Sequence, residues 1–454
     1  MPNHYSTLIK LGTPIVVGQI GNLVLNFADT LMIGHHSTTE LAAASFVNGI
    51  FVLFVLFSIG FNFALTPVAG PFIGRNEKEE AGCVMRSCLE ANVILILVLT
   101  ALAIAFYFSL PFFGQPEELL PLMRPYLIVN ILSIPFAVIG CQMKQFFDTI
   151  GSTKISMYVL VSSNILNIIG NYLLIYGKAG LPELGLLGAG ISTASSRLVI
   201  AISFCIIFFI GKKFRVYLNG AMKNDTSKKK KLFILINKLG WTSAIQSTIE
   251  CGAFSLVAIF VGWLGTKPLA AHQIMLTASM FFYNIYLGIA TAISIRVSHF
   301  AGMKEWKSIV EVTKSGFFII IGIAAVMAIP VYLFRHDIGG LFSDDPIVGQ
   351  LVAVTIIPLI LYQISDAFQC SIANALRGLG EMKQLMWAAF FAYFVVSLPL
   401  SWLLGNHLGF GLVGIWYAFP VCLTVAGVLY FIILKVKLPR SVSYTQQTLP
   451  TKKK

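Results

Sequence analysis

Charged side chains are scarce in this chain of 454 residues. They make up 11% of it, whereas hydrophobic residues make up 57%. Ordinary soluble domains contain about 25% charged residues, with which they cover their water-facing surface. The scarcity therefore excludes a soluble enzyme, a disordered protein and a small secreted domain held by disulfides.

Paired cysteines and common catalytic motifs are also missing. The seven cysteines are an odd number without a CxxC pair, which argues against disulfides and against a zinc ribbon. Neither a P-loop sequence (GxxxxGKS or GxxxxGKT) nor HExxH occurs, so the chain does not carry its own P-loop ATPase. His35, His36 and His272 are predicted to be loop or helix-rim residues. Because only isolated acids would remain for an enzyme embedded in a membrane, we predict a protein that is not an enzyme and has no cofactor.

Long apolar runs fill most of the chain instead. A helix needs roughly 20 apolar residues to cross the hydrocarbon core of a bilayer, whereas strands of a membrane barrel are about 10 residues long and alternate in polarity. The runs here are mostly longer and uniformly apolar, so we predict an all-α integral membrane protein with twelve transmembrane helices. The predicted spans are 8–33, 45–72, 87–112, 124–147, 155–177, 188–211, 236–263, 271–295, 311–334, 348–375, 384–405 and 411–435.

Lysine and arginine are unevenly distributed between the predicted loops. If the N-terminus is cytoplasmic, the inner loops and tails contain 27 of these residues and the outer loops only four. The positive-inside rule then places both termini in the cytoplasm, which requires an even number of spans. The run Lys228–Lys231 could bind nucleic acid, but an inner loop attracted to anionic lipid headgroups is the simpler interpretation. We therefore predict membrane lipids, and not nucleic acid, as partners.

The two halves of the sequence repeat each other at a nearly constant offset. Lys10-Leu11-Gly12 in the first half corresponds to Lys238-Leu239-Gly240 in the second, and at the same offset Gly60 corresponds to Gly288. Six helices in each half give the two halves the same orientation, with a substrate cavity expected between them and one half rocking against the other. We predict two pseudo-symmetric six-helix bundles: an N-terminal lobe (1–211), a basic cytoplasmic linker (212–236), a C-terminal lobe (237–438) and a disordered cytoplasmic tail (439–454).

Nearly all of the 19 acidic residues lie in predicted loops or at the ends of predicted spans. Three lie deeper, namely Asp29 in span 1, Glu250 in span 7 and Asp366 in span 10. A charge at the centre of a bilayer costs roughly 2.5–3.5 kcal/mol, so such residues are functional by default. They can bind a proton, a metal cation or a cationic substrate. The alternative is that they are neutral, or paired with Arg197 or Arg377 to hold helices together.

Polar and aromatic residues accompany these acids. Asn167 and Asn171 lie four residues apart on one face of span 5, where their amides can bond a carboxyl such as that of Asp29 or simply join helices. Tyr362 lies four residues before Asp366 on the same face. Phe282 and Tyr286 in span 8 offer aromatic faces to hydrophobic cations, although most such side chains face lipid or core. The expected substrates are therefore small amphipathic, often cationic molecules.

Several long motifs resemble the multidrug and toxic compound extrusion (MATE) family, specifically its bacterial NorM-like branch. The resemblance covers nearly the whole chain. Its motifs are PIVVGQIGNLVLNFADTLMIG from residue 14, NIIGNYLLIYGKAGLPELGLLGAG from residue 167, QSTIECGAF from residue 246 and YQISDAFQCSIANALRGLG from residue 362.

The resemblance implies two six-helix bundles around a V-shaped cavity, in the bacterial cytoplasmic (inner) membrane. It also implies efflux driven by inward flow of Na⁺ or H⁺, with Glu250 and Asp366 as a candidate Na⁺ site beside Tyr362. Asp29 would be the acid of the N-terminal lobe, linked to protonation or substrate release. Asn171 stands where some proton-coupled members have an acid.

The rival function is a lipid-linked oligosaccharide flippase of related architecture. Its pyrophosphate substrate would need basic residues in the cavity, whereas the buried balance here is three acids against Arg197. We expect the protein to be a monomer.

Overall fold

A computed structural model describes residues 4–223 and 226–438 of the chain. Within these ranges twelve helices are long and apolar enough to cross a membrane, and no strand is found, which confirms the all-α prediction. The predicted tail 439–454 lies outside the described residues. The helices are α1 His4–His36, α2 Thr38–Gly74, α3 Lys78–Phe113, α4 Glu117–Thr149, α5 Thr153–Ile175, α6 Gly185–Ile210, α7 Thr226–Gly262, α8 Thr266–Met303, α9 Trp306–Leu333, α10 Pro346–Leu379, α11 Met382–His407 and α12 Gly411–Lys437.

Most helices extend beyond the predicted apolar spans. The α10 helix, for example, begins at Pro346 because the Asp345 side chain accepts a hydrogen bond from the backbone N–H of Ile347 at 2.9 Å. It ends before Gly380, whose φ of 80° terminates the helix. Hydropathy marks only the segment surrounded by lipid, whereas the helix itself continues to its caps.

Proline interrupts two of the spanning helices. In α2 the regular helix stops at Asn62 and resumes at Leu65. Pro67 lacks the N–H that would bond the carbonyl of Phe63, so this turn cannot close normally. In α11 a π-helical turn over Phe391–Ser397 ends two residues before Pro399, which likewise has no N–H to continue the ladder.

The described chain forms two compact units whose limits differ from those of the predicted lobes. The described residues within 17–244 form one, called here the N-terminal unit, and those within 4–16 and 245–438 form the other, the C-terminal unit. The first turns of α1 thus pack within the C-terminal unit, and those of α7 within the N-terminal unit. The predicted lobes 1–211 and 237–438 stay a prediction.

Repeat-related residues make these exchanged contacts. In the C-terminal unit a Cβ on Gly12 would lie 2.6 Å from Ile289 Cδ1, and in the N-terminal unit a Cβ on Gly240 would lie 2.8 Å from Phe61 Cδ2. Gly240 is the repeat equivalent of Gly12, and at the same offset Ile289 is the repeat equivalent of Phe61. The same glycine in both repeats therefore lets a helix start approach its neighbour closely.

The predicted linker contains a short helix, Arg215–Met222, packed against α3 in the N-terminal unit. A Cβ on Gly82 would lie 1.9 Å from the carbonyl oxygen of Tyr217, and the Cys83 thiol donates to the carbonyl of Gly220 at 3.0 Å. The backbone of this helix therefore touches α3 directly. Part of the linker is an ordered component of the fold.

We expect Gly82→Ala to destabilise the protein by about 1–3 kcal/mol, because the added methyl meets backbone that cannot rotate away. The matched control is Gly49→Ala in α2, where nothing lies within 4 Å of the new Cβ. Thermal unfolding of the purified variants would measure the difference. Equal melting temperatures for the two variants would show that the linker helix can move away from the added methyl group at little cost in stability.

Candidate functional site

The first polar cluster surrounds Asp29 in the N-terminal unit. The Asn171 amide nitrogen donates to Asp29 Oδ1 at 2.5 Å and lies 3.1 Å from Asn167 Oδ1. An amide can also be turned over, and in that orientation the Asn167 nitrogen lies 3.2 Å from the same carboxylate oxygen. Both asparagines are buried. The structure therefore brings the predicted acid of α1 and the predicted polar pair of α5 together.

Arg197 on α6 makes its hydrogen bonds with α4 and not with Asp29. Its guanidinium donates to Ser133 Oγ at 2.6 Å and to Asn130 Oδ1 at 3.3 Å. It also lies 4.9 Å from the ring centroid of Phe51. Arg197 and Asp29 interact electrostatically, but no ion pair within 4 Å joins these two described residues. Arg197 thus balances the acid from a distance and leaves its carboxylate accessible to other partners.

The second polar cluster surrounds Asp366 in the C-terminal unit. Asp366 on α10 is only 3% exposed, and its Oδ2 atom has no hydrogen-bond partner. It interacts electrostatically with Glu250 on α7 and with Tyr362 on its own helix. Glu250 accepts a hydrogen bond from the Gln246 amide at 3.0 Å. Both predicted acids of the C-terminal half thus belong to one cluster.

Of the two aromatic residues predicted in span 8, Tyr286 joins this cluster. Its hydroxyl is buried without a partner, and it interacts electrostatically with Asp366. Phe282 is also buried, but its ring contact is with Phe281 at 6.2 Å between centroids. Arg377, the basic residue considered as a partner, interacts electrostatically with Glu250.

Unpartnered oxygen atoms give the C-terminal cluster its chemical character. Besides Asp366 Oδ2 and the Tyr286 hydroxyl, both amide atoms of Gln363 are buried without a partner. Such atoms are costly to bury and mark a place where a ligand can bind. Two carboxylates with nearby hydroxyl and amide oxygens form a donor set suited to a hard cation or a proton. Within the described residues no three His, Cys, Asp or Glu side chains converge as a transition-metal site would require.

The structure corrects the prediction for His272, which is fully buried and whose Nδ1 atom accepts a hydrogen bond from Trp416 Nε1 at 3.2 Å. Its partner Trp416 comes from a distant segment, which spacing along span 8 does not reveal. His36 is the last residue of α1, at the rim of the helix as predicted, and both of its ring nitrogens contact glutamates. Gln363 was also missed, although an amide next to Tyr362 inside an apolar span was a visible signal.

Twelve helices able to span a membrane, with acidic residues buried among them, are typical of a multi-pass membrane transporter. The MatE family model matches residues 14–173 and again residues 243–403. The chain therefore belongs to the MATE family, as the motifs predicted. One match falls in each half of the chain, which agrees with the internal repeat found in the sequence.

Named relatives and solved structures agree with this assignment. The chain is 31% identical to a probable multidrug resistance protein NorM of Photorhabdus laumondii, covering 96% of this chain and 97% of that one. It is 27% identical to the multidrug resistance protein NorM of Vibrio cholerae, over 93% of both chains. A multidrug resistance MATE transporter in an outward-facing conformation aligns with a TM-score of 0.87 at 18% identity, covering 96% of each chain. A eukaryotic MATE transporter aligns with a TM-score of 0.86 at 18% identity, covering 98% of this chain and 99% of that one. The latter two show that the fold is shared.

Proposed function

We propose that the protein is a secondary antiporter that exports amphipathic, often cationic compounds in exchange for Na⁺ or H⁺ by alternating access. The NorM relatives are named for multidrug resistance, which supports the substrate class. The observation that carries the ion coupling is Asp366, a buried carboxylate with an unpartnered oxygen beside a second acid, Glu250. A packed helical core does not require such a pair.

Coupling requires that each ligand binds the two transport states with different affinity. In the C-terminal unit, a monovalent cation bound between Asp366 and Glu250 would offset one of their two negative charges and so reduce their mutual repulsion. Tyr362, Tyr286 and Gln363 would supply further oxygen atoms. Cation entry thus favours a conformation in which these groups draw together.

The N-terminal unit supports a proton-dependent rearrangement. When Asp29 is ionised, it accepts the hydrogen bond of the Asn171 amide nitrogen. When Asp29 is protonated, its O–H becomes a donor and needs an acceptor. Asn171 Oδ1 is buried without a partner and could accept after the amide turns over. Protonation would therefore change how α1 and α5 are joined.

We further propose a bacterial cytoplasmic membrane, both termini inside, and a monomer that binds anionic lipids through its linker lysines. Two lysines near the linker helix already have protein partners, because Lys223 pairs with Glu79 and Lys228 pairs with Glu80 of α3. Lipid attraction would then fall mainly on Lys230 and Lys231, which continue the basic run.

Reconstituted vesicles provide the test of this function. We expect export of ethidium when a Na⁺ or a pH gradient is imposed, because the buried acids link cation entry to drug exit. Applying the two gradients separately would identify the coupling ion, and an ionophore that collapses the effective gradient is the control. Ethidium export that needs ATP and ignores both gradients would refute antiport. An absence of any gradient response would favour the flippase.

A further inference from the structure

A further group of ionisable side chains, apart from the clusters around Asp29 and Asp366, lies at the C-terminal end of α1. The distribution of lysine and arginine predicts that this end faces outward. His36 Nδ1 lies 2.8 Å from Glu40 Oε2 at the start of α2. His36 Nε2 lies 3.0 Å from Glu183 Oε1, in the loop between α5 and α6. All three belong to the N-terminal unit. They are called here the outer histidine clamp.

The geometry of the clamp implies a bound proton. A neutral imidazole has one N–H, and an ionised carboxylate can only accept hydrogen bonds. His36 can satisfy both carboxylates only if both ring nitrogens are protonated, or if one glutamate keeps its proton. In either case the clamp contains one more proton than a neutral histidine with two carboxylates. The contacts seen are those of the protonated form.

The backbone around the clamp permits this close approach. A Cβ on Gly185 would lie 2.3 Å from Glu40 Oε1, and a Cβ on Gly177 would lie 2.8 Å from the backbone nitrogen of Glu183. Both glycines have positive φ, 51° and 61° respectively. The loop therefore has the small residues that the two carboxylate contacts need.

The clamp connects the same elements as the Asp29 site. Asp29 lies two turns before His36 on α1, roughly 10 Å along the helix. Asn171 on α5 binds Asp29, and Tyr176 at the end of the same helix donates its hydroxyl to the Met32 carbonyl at 2.9 Å. The hairpin of α5 and α6 is thus joined to α1 at Asp29, at Met32 and at the clamp.

We propose that His36, Glu40 and Glu183 form an external proton-binding site that positions the α5–α6 hairpin against α1 and thereby sets the Asp29–Asn171 contact. The inference rests on the proposed coupling role of Asp29. With the proton bound, the clamp is closed. When external pH rises and the proton leaves, the neutral histidine keeps one partner and Glu183, 65% exposed, is released to water. The ring of Tyr176 lies 6.0 Å from that of His36. His35 and Lys178 are the next ionisable residues along α1 and along the loop.

Hydrogen–deuterium exchange of the intact protein in lipid nanodiscs tests the clamp directly. After correction for intrinsic exchange, we expect protection of residues 176–184 to fall about fivefold or more between about pH 6 and about pH 8, the range in which histidine titrates. His36→Gln has no titrating imidazole and should abolish this pH response. His35→Gln, the neighbouring control, should keep it. A pH response that survives in His36→Gln, or is missing in the wild type, would overturn the proposal.

Transport measurements on two variants distinguish the proton-binding role of the clamp from the proposed coupling role of Asp29. In vesicles with the α1 end exposed to variable pH, His36→Gln should shift the midpoint of the external pH profile, whereas a structural role alone would change only the amplitude. Asp29→Asn should abolish export at every pH. If Asp29→Asn exports normally, the coupling function fails while exchange still reports on the clamp. If His36→Gln and His35→Gln have identical profiles, the clamp fails and the coupling role of Asp29 stands.

Discussion

Asp366→Asn is expected to reduce gradient-driven export by roughly a hundredfold. This factor lies near the upper end of the effect that one bound ligand usually has on the affinity for another. Asparagine has nearly the same shape as aspartate but cannot lose a proton or neutralise a cation. Because Asp366 Oδ2 has no hydrogen-bond partner, the substitution breaks no described hydrogen bond of that atom. Removing a buried ionisable group should leave stability unchanged or raise it. Activity and stability are therefore expected to respond differently.

Vesicle transport and thermal unfolding of the same preparation would measure both effects. The control is Asp345→Asn just before the same helix, because asparagine also caps a helix well. Asp345 lies near the surface, and its hydrogen bond with Lys267 lowers the pKa of that carboxyl, so only a peripheral ion pair is lost. Export by Asp366→Asn at the level of this control would remove Asp366 from the coupling site.

Asp29→Asn is expected to reduce export about as strongly as Asp366→Asn, but by a different mechanism. The new side-chain oxygen can still accept the Asn171 hydrogen bond, so α1 and α5 remain joined. What is lost is the change between acceptor and donor that protonation of a carboxyl produces. The transporter should then no longer switch in response to protonation at this site, with drug binding intact and release impaired.

Drug binding and drug transport should be measured separately for this variant. We expect the ethidium affinity to stay within about threefold of the wild type, because a loss of coupling does not have to change the affinity of either conformational state for the drug. Transport should fall to background. Thr30→Ala is the control, because Thr30 is the next residue, is exposed and bonds only the Asn26 carbonyl of its own helix. Normal transport by Asp29→Asn would assign this acid to structure.

Different parts of the molecule were predictable to different degrees. The twelve helices followed from apolar runs, since a backbone in lipid must satisfy its hydrogen bonds within each segment. The three acids stood out because charge is costly in the same surroundings. The partners of Arg197 and the second partner of His36 were not predictable. His36 contacts Glu183, which lies far along the chain, and spacing along one helix says nothing about such a neighbour.

The sequence alone therefore determined the membrane-spanning architecture, the duplication and the acids of the two clusters. Each of these depends on the polarity of single segments or on the repetition of segments along the chain. Both properties can be recognised in the sequence without knowledge of the tertiary structure. Tertiary structure decided that the first turns of α1 and α7 are exchanged between the two units, and that Asn171 and not Arg197 bonds Asp29. These contacts join segments far apart in the chain, so only packing of the helices selects which side chains meet.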